Sequence, residues 1–232
     1  MYELRQMLLD RAARGRPEKR ISPKGLVIHW TANTNKGADA DNNRNYFNNS
    51  GVAASAHYVV DDHQVIQCLP ENEMAYHVGA KRYTTQAIEK LSGYPNDCTL
   101  GIEICMNCDG DFQKTMENTV ALAADICKRH GWTKDNLWRH YDITEKDCPK
   151  FFVTDATARA FGFSSAKAGW EEFKNMIEEG PEVDPVTVRY QGTSFKGFIK
   201  DGRTFVEVRE LCTAFGKKVS WDSENKVVEV KD

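Results

Sequence analysis

Short apolar runs separated by polar loops characterise the chain up to about residue 180. Residues 26–30 form a continuous apolar-rich run after Pro23 and Gly25, which predicts a strand buried on both faces. Further strands are predicted at residues 55–60, 65–69, 99–105 and 137–140, with a hairpin turn at 61–64 between the first two of them.

Apolar residues at helical spacing predict helices between these strands. The first helix is expected over residues 2–14, where Leu4, Met7 and Leu8 follow that spacing. Other helices are predicted around residues 44–47, at 112–130 and at 169–179. Because strands and helices alternate, residues 1–180 are predicted to form an α/β domain with a mixed central sheet flanked by helices.

A second, smaller unit is predicted after residue 180. Residues 181–185 contain two prolines and no apolar pattern, which is typical of a linker. Residues 186–232 alternate strand-like runs with one short helix and end in a predicted hairpin, so a small α+β domain is expected there. This unit carries nine Lys and Arg against seven Asp and Glu, a net charge of +2, whereas residues 1–185 carry 22 against 27, a net charge of −5.

Composition excludes several classes of protein. With 41% hydrophobic and 28% charged residues, the chain has globular rather than disordered values. The net charge of −3 provides no basic field, so no nucleic-acid partner is expected. No apolar run approaches the ~18 residues of a membrane span, and the N-terminus lacks a secretory signal pattern. We therefore expect synthesis in the cytoplasm and no stable membrane association.

Two histidines and one cysteine are candidate metal ligands. His29 and His140 each stand at the end of a predicted strand, and Cys148 follows His140 with seven residues between them. Two imidazoles and a thiolate suit tetrahedral Zn²⁺, and three protein ligands leave a fourth position for water, as in catalytic sites. Spacing alone leaves open that these are two packed histidines and a buried thiol. The seven cysteines are dispersed and odd in number, which favours free thiols or ligands over disulfides.

The sequence around these residues resembles a known family. Residues 27–32, 55–62, 101–104, 140–144 and 148–149 carry, in this order, short motifs that resemble those of the type 2 N-acetylmuramoyl-L-alanine amidases. That family includes phage endolysins and is related to peptidoglycan recognition proteins. The resemblance covers about residues 20–155 and implies the family's mixed-sheet α/β fold.

Carried over by position, the resemblance implies a zinc site and two catalytic residues. His29, His140 and Cys148 match the family's ligands. Glu103 matches a strand glutamate that acts as acid and base in the endolysin branch, and Lys146 matches a lysine that assists the substrate carbonyl. The alternatives are an edge-strand glutamate that points to solvent and a solvated loop lysine.

One position departs from the pattern of some relatives. Ala56 stands where those relatives have a catalytic tyrosine, which leaves more of the proton transfer to Glu103.

Other candidate residues carry weaker signals. His77 lies in a segment that borders the substrate groove in the family, so the resemblance implies a substrate contact. Trp30, directly after a candidate ligand, either lines that groove or packs in the core. His57 is either a satisfied core histidine or a support for a ligand. Cys105 and Cys108 form an unpaired CxxC motif, which we interpret as incidental thiols.

The C-terminal unit resembles a second family. Residues 201–209, 211–215, 218–222 and 225–228 resemble the copper-amine-oxidase N-terminal-like, or stalk, domain of bacterial surface proteins. No histidine follows His140 in the sequence, so the family name implies no copper here. Next to a domain that resembles an amidase, this unit is expected to be a cell-wall-binding module. The alternative is a unit that stabilises the protein or dimerises it, so an oligomer formed through this domain stays open.

Together these expectations describe a zinc-dependent peptidoglycan hydrolase. It would cleave the amide bond between N-acetylmuramic acid and L-alanine, as a phage or prophage endolysin that reaches the bacterial wall through a membrane pore. A chromosomal autolysin is the nearer alternative. The rivals from other classes are a non-catalytic peptidoglycan-binding module, against which Cys148 argues, and an unrelated hydrolase with a structural zinc.

Overall fold

A computed structural model describes residues 2–179, 184–190, 192–200, 203–222 and 227–231. The chain divides into two compact units, Met1–Gly180 and Pro181–Asp232. In unit 1 the strands are β1 (Glu3–Gln6), β2 (Gly25–Trp30), β3 (Tyr58–Val60), β4 (Gln64–Gln67), β5 (Thr99–Ile104) and β6 (Leu137–Arg139). Its helices are α1 (Ala40–Asn48), α2 (Thr85–Lys90), α3 (Phe112–His130), α4 (His140–Thr144), α5 (Asp155–Ala160) and α6 (Ala166–Glu179).

The six strands of unit 1 form one mixed sheet in the order β1-β4-β3-β5-β2-β6. β2 pairs in parallel with both β5 and β6, and β3 pairs in parallel with β5. β3 and β4 form the antiparallel hairpin that the sequence predicted. The predicted mixed central sheet is confirmed, and the carboxyl ends of β2, β5 and β6 lie at the same edge of it.

Apolar side chains cover both faces of the sheet. On one face, Leu26 and Ile28 of β2 belong to a large buried cluster with α3 and α6. On the other face, Val27 of β2 packs with Trp138 and residues of α2 and α4. β2 is therefore buried on both faces, as its continuous apolar run predicted.

The N-terminal segment corrects one prediction. Residues 2–14 do not form a helix: β1 pairs in parallel with β4 at the edge of the sheet, and Leu4 is 52% exposed. After β1 the chain continues along the same neighbour, with Met7 N donating to Gln67 O and Leu9 N to Cys68 O. Leu9 is buried. Backbone pairing with an available strand edge thus outweighed a weak local helical pattern.

The loop after β1, which carries the basic residues Arg14, Arg16, Lys19 and Arg20, is held to the rest of unit 1 by hydrogen bonds. Arg16 has a side chain 9% exposed and donates from Nε and Nη2 to both carboxylate oxygens of Glu73, at 2.9 and 3.2 Å. Its Nη1 also donates to Leu9 O. Next to it, Ser55 Oγ donates to Gly15 O at 2.6 Å. These contacts hold the loop against the body of unit 1.

Other predicted elements are confirmed in part. The predicted helix at 112–130 is confirmed as α3 and ends at Gly131 in the left-handed region, with φ of 67°. The predicted strand at 137–140 ends one residue early, and His140 begins α4 instead of ending β6. The short helices α2 and α5 were not predicted, because six residues are too few for a clear apolar period.

Unit 2 is a small β-rich unit. Its elements are β7 (Asp184–Tyr190), β8 (Thr193–Lys200), β9 (Arg203–Val206), α7 (Val208–Ala214), β10 (Lys218–Asp222) and β11 (Val227–Lys231). β7, β8 and β9 form an antiparallel sheet, and β10 pairs with β11 in the predicted hairpin, whose turn lies outside the described residues. Of the predicted linker at 181–185, the first three residues also lie outside them, whereas Asp184 and Pro185 begin β7.

Within the described ranges, no helix combines the length and the apolar character that crossing a bilayer requires.

Candidate metal centre and active site

The candidate site lies where three neighbouring parallel strands end. His29 is the fifth residue of β2, and its partner in the register of β5 is Glu103. His140 follows β6 directly. In mixed and parallel α/β sheets, the carboxyl edge is the usual location of binding sites, and here it assembles two imidazoles and a carboxylate.

Cys148 completes a compact cluster with the two histidines. His29, His140 and Cys148 each offer one potential ligand atom, and these three atoms lie within 4.8 Å of one another. Cys148 Sγ lies 3.7 Å from His29 Nδ1, and the two imidazole centroids are 4.7 Å apart. All three residues are at most 5% exposed. The structure thus brings together the three predicted ligands from positions 119 residues apart in the chain.

The segment that carries His140 and Cys148 is held by its own hydrogen bonds. Arg139 N and the Arg139 guanidinium donate to the carboxylate of Asp142, which caps α4. Tyr141 N then donates to Cys148 O at 3.0 Å, so the loop after α4 returns to its first turn. Glu145 makes the reversal with φ of 62°. Both candidate ligands of this segment are therefore fixed by local structure.

The chemistry of this donor set fits zinc. Burial lowers the pKa of His29 well below its ordinary value and lowers that of His140 to about 4, so both imidazoles are neutral at pH 7 and can act as ligands. His140 Nδ1 is buried without a hydrogen-bond partner, as expected of a nitrogen reserved for a ligand role. Burial also raises the pKa of the Cys148 thiol to about 12, so metal binding there would displace a proton.

Glu103 presents an unpaired carboxylate oxygen beside the cluster. The residue is partly exposed, but its Oε2 is buried and accepts no hydrogen bond. Burial raises the pKa of Glu103 to about 8, and the Lys146 ammonium opposes that rise. The structure therefore excludes the alternative of an edge-strand glutamate in solvent, because β5 lies between β3 and β2.

Lys146 is exposed and still acts on the site electrostatically. Its positive charge lowers the pKa values of Glu103, His29 and His140. Its carbonyl oxygen accepts from Cys148 N at 2.6 Å, which couples the backbone at the lysine to that at the thiol. The Lys146 side chain is therefore exposed to solvent and also close enough to the cluster to act on it electrostatically.

A groove of about 690 Å³ opens beside the cluster. Its lining includes His77, His140 and Lys146, and also Arg14 and Tyr94 from loops that carry no recognisable motif. The structure does not bring Trp30 into this lining: its ring packs edge to face on Phe151, with centroids 5.8 Å apart. Of the two alternatives for Trp30, the observed contact is that of a packing residue.

Two further buried histidines, His77 and His57, lie near the cluster. His77 Nδ1 lies 2.9 Å from His29 Nε2. Both ring nitrogens of His57 meet backbone groups: Nδ1 accepts from Gly101 N, and Nε2 lies 2.8 Å from Glu73 O. Its ring also packs edge to face on that of His77, with centroids 5.9 Å apart. His57 therefore matches the alternative of a satisfied core histidine. The residues that hold His77 were missed at the sequence level, because Asn96 and Thr99 belong to no motif that marks them.

The CxxC cysteines take no part in the cluster. Cys105 is buried and lies 3.6 Å from Asn43 Nδ2, whereas Cys108 is exposed. Both are free thiols, in line with the interpretation of this motif as incidental.

The fold and the site together define an α/β protein with a candidate catalytic metal centre at the carboxyl edge of a mixed sheet. Residues 19–151 match the family model described as N-acetylmuramoyl-L-alanine amidase, so the chain belongs to that family. Residues 186–232 match the model described as copper amine oxidase N-terminal domain. Both resemblances noted in the sequence are thereby confirmed.

Known proteins similar to this chain carry amidase names. A probable N-acetylmuramoyl-L-alanine amidase of Bacillus licheniformis is 42% identical over 60% of this chain and 39% of its own length. The N-acetylmuramoyl-L-alanine amidase BlyA of Bacillus subtilis is 38% identical over 88% of this chain and 55% of its own. The chain therefore spans about half or less of these relatives, as those two shares show.

Solved structures show the same fold. The catalytic domain of XlyA is 30% identical, with a TM-score of 0.60, over 75% of this chain and 99% of that domain. A mutant endolysin from Bacillus subtilis is also 30% identical, with a TM-score of 0.61, over 76% of this chain and 99% of its own. The predicted fold class, a mixed sheet flanked by helices, is confirmed by these likenesses.

Proposed function

We propose that this protein is a zinc-dependent hydrolase of bacterial peptidoglycan that cleaves the amide bond between N-acetylmuramic acid and L-alanine. The observation that carries the proposal is the buried cluster of His29, His140 and Cys148 beside the unpaired carboxylate oxygen of Glu103. Membership of the amidase family supports the choice of bond. The same cluster argues against a non-catalytic binding module, because such a module has no need of a buried proton acceptor next to three potential ligands.

The three clustered residues are proposed to hold the zinc ion, with one position free for water. Zinc bound there would lower the pKa of that water towards ~7 and polarise the substrate carbonyl. The chain supplies two neutral imidazoles and a thiolate at a buried site. His140 and Cys148 are held in position by the hydrogen bond from Tyr141 N to Cys148 O, which closes the loop.

Glu103 is proposed to move the proton. Its Oε2 is free to accept the proton of the attacking water, and the protonated carboxyl then delivers it to the leaving nitrogen. Without that delivery the amine would have to leave as an anion. A pKa raised by burial suits this shuttle, because the acid and base forms are then both accessible near neutral pH.

Lys146 is proposed to stabilise the negative charge that develops on the carbonyl oxygen. Its ammonium is near enough to the cluster to lower the pKa values of Glu103, His29 and His140, and Lys146 lines the groove. His77 lines the groove too, but both of its ring nitrogens contact protein groups. We therefore restrict its proposed substrate contact to the carbon edge of the ring.

Unit 2 is proposed to bind the cell wall, and dimerisation or stabilisation is the alternative. The support is that residues 186–232 match a different family model from the rest of the chain and carry a net charge of +2, opposite in sign to that of the rest. A tethered binding unit raises the local concentration of the substrate without a change in the chemistry. As an endolysin, the protein would reach the wall from the cytoplasm through a membrane pore.

Identification of the bond cut tests the proposal. Purified peptidoglycan is digested with the full chain, with and without prior chelation and zinc readdition, and the products are analysed by mass spectrometry. The expected products are glycan strands with free lactyl carboxylates and peptides with new L-alanine N-termini. New reducing sugar ends instead would identify a glycosidase, and intact wall with zinc-loaded protein would favour the binding module.

A further inference from the structure

The imidazole of His29 is engaged at both of its nitrogens. Its Nδ1 lies 3.7 Å from Cys148 Sγ, inside the candidate ligand cluster. Its Nε2 lies 2.9 Å from Nδ1 of His77. His77 thus contacts His29 at the nitrogen that does not face the thiol, where a supporting residue for a metal ligand is commonly found.

The surroundings of His77 decide which of its nitrogens carries a proton. His77 Nε2 lies 3.3 Å from the carbonyl oxygen and 3.3 Å from Oγ1 of Thr99. A carbonyl only accepts. The Thr99 hydroxyl donates its own proton to Pro95 O at 2.6 Å, so towards His77 it also accepts. Since both neighbours are acceptors, the proton of a neutral His77 lies on Nε2.

This assignment passes on to His29. With its proton on Nε2, the neutral His77 ring has a lone pair on Nδ1, and the contact at 2.9 Å then requires His29 Nε2 to donate. Both rings are buried, and none of their hydrogen-bond contacts within the described residues is a carboxylate, so each ring is treated as neutral with one proton. His29 therefore carries its only proton on Nε2, and its Nδ1 lone pair is directed at the cluster.

We propose that His77 is a positioning residue that fixes the tautomer of His29 and so presents His29 Nδ1 as the metal-binding atom. The inference rests on the proposed metal site. The chain of hydrogen bonds runs from His29 through His77 and Thr99 to Pro95 O. These hydrogen bonds prepare the His29 ring for metal binding before the metal arrives. One ring nitrogen is left unprotonated to act as a ligand, and the other nitrogen donates its proton to His77.

The fold holds the His77 ring in place from several directions. The side-chain oxygen of Asn96, a fully buried residue, accepts from His77 N at 3.1 Å and from Val78 N at 2.9 Å. The ring lies against Gly101, where an added Cβ would meet His77 Nδ1 at 2.8 Å. Only glycine at position 101 leaves room for the ring, so the backbone of β5 shapes the slot for this histidine.

The tautomers are measured first, on the full wild-type chain freed of metal. Two-bond ¹⁵N–¹H correlation spectra distinguish Nδ1–H from Nε2–H imidazoles. We expect His29 and His77 both to be Nε2–H. An Nδ1–H form of His29 would overturn the proposal, and this measurement needs no variant that could fail to fold.

Zinc affinity is measured next, by competition with a chromophoric chelator. His77→Leu removes the acceptor, and a loss of ~10–100-fold in affinity is expected. His77→Asn keeps an acceptor near the position of Nδ1 and should recover most of that loss. His130→Leu is the control, because His130 pairs with Glu71 and belongs neither to the ligand cluster nor to the lining of the groove beside it. Wild-type affinity in folded His77→Leu would overturn the proposal.

The outcomes separate this inference from the proposed function. A chain that shows the expected tautomers and binds zinc, but releases no L-alanine N-termini from peptidoglycan, contradicts the proposed function and supports this inference. An active amidase in which metal-free His29 is Nδ1–H does the reverse.

Discussion

His29 and Glu103 are register partners on the neighbouring parallel strands β2 and β5, so a candidate metal ligand and a candidate proton acceptor stand side by side on one face of the sheet. Because side chains alternate along a strand, this face is the one opposite to Ile28 and Ile102, which pack towards α3 and α6. The sheet itself thus fixes the spacing between the two functions.

Replacing Glu103 by Gln should slow catalysis without loss of metal. The amide cannot accept the proton, so we expect kcat on soluble muropeptides to fall by ~10²–10⁴-fold. Zinc per chain, measured by atomic spectroscopy, should stay at the wild-type level, and the exposed Glu89→Gln should behave as wild type. Lys146→Ala should lower kcat by a smaller factor than Glu103→Gln does. Near-normal turnover of Glu103→Gln would remove Glu103 from the mechanism.

Replacing Cys148 by Ser should weaken the metal site. A hydroxyl is a poor substitute for a thiolate on zinc, so we expect the variant to lose zinc on dialysis and to lose activity with it. Cys105→Ser, a buried thiol outside the cluster, is the control and should keep its zinc. Full zinc content together with full activity in Cys148→Ser would show that the ligand set is wrong.

The stability of the metal-free protein should depend on pH through Glu103. Its pKa is about 8 in the folded chain and ~4.3 when unfolded, so between these values only the folded chain keeps the proton. The free energy of unfolding should therefore fall as pH rises through this window. Glu103→Gln should remove that slope and be more stable by about 1–3 kcal/mol at pH 8. Urea titrations of the metal-free wild type and variant from pH 5 to pH 9 measure the free energy of unfolding at each pH. An equal dependence on pH in both proteins would contradict the raised pKa of Glu103.

The buried pair of Arg16 and Glu73 should give the opposite pH dependence. The Arg16 hydrogen bonds lower the pKa of Glu73. The contribution of this pair to the free energy of unfolding is therefore fully present above the unfolded pKa of ~4.3, and it is lost as pH falls through the lowered pKa of the folded chain. Glu73→Gln should destabilise the protein at pH 7 by about 1.5–3 kcal/mol, as for hydrogen bonds to charged groups. Glu117→Gln, in an exposed pair with Lys114, should change it by less than about 1 kcal/mol. Equal effects of the two variants would sink this account.

Removal of unit 2 should separate binding from chemistry. A chain ending at Gly180 keeps the whole candidate site, so we expect a soluble, zinc-loaded protein that cuts soluble muropeptides at the wild-type rate. It should bind less to purified walls in a pull-down assay. Equal wall binding by both forms would favour dimerisation or stabilisation, which sedimentation analysis of the full chain distinguishes. Loss of soluble-substrate activity would show instead that the units are not independent.

The sequence predicted those parts of the site that carry their own local signal. The run at 26–30 placed His29 on a buried strand because apolar continuity is a local property. The sequence did not reveal the contact between His77 and His29, since it depends on how a loop folds over β5 and on Gly101. Likewise, the edge pairing of β1 with β4 depends on a partner some 60 residues away in the chain, which no short window contains.

The closed loop that carries His140 and Cys148 has a consequence for what limits the active fraction of the protein. Its bonds, from Arg139 to Asp142 and from Tyr141 to Cys148, involve protein groups alone, and the apolar clusters that hold unit 1 together include neither ligand of the loop. Protein contacts alone therefore position both candidate ligands of the loop. For the hydrolase proposed above, the active fraction would then follow the supply of zinc rather than the amount of folded chain.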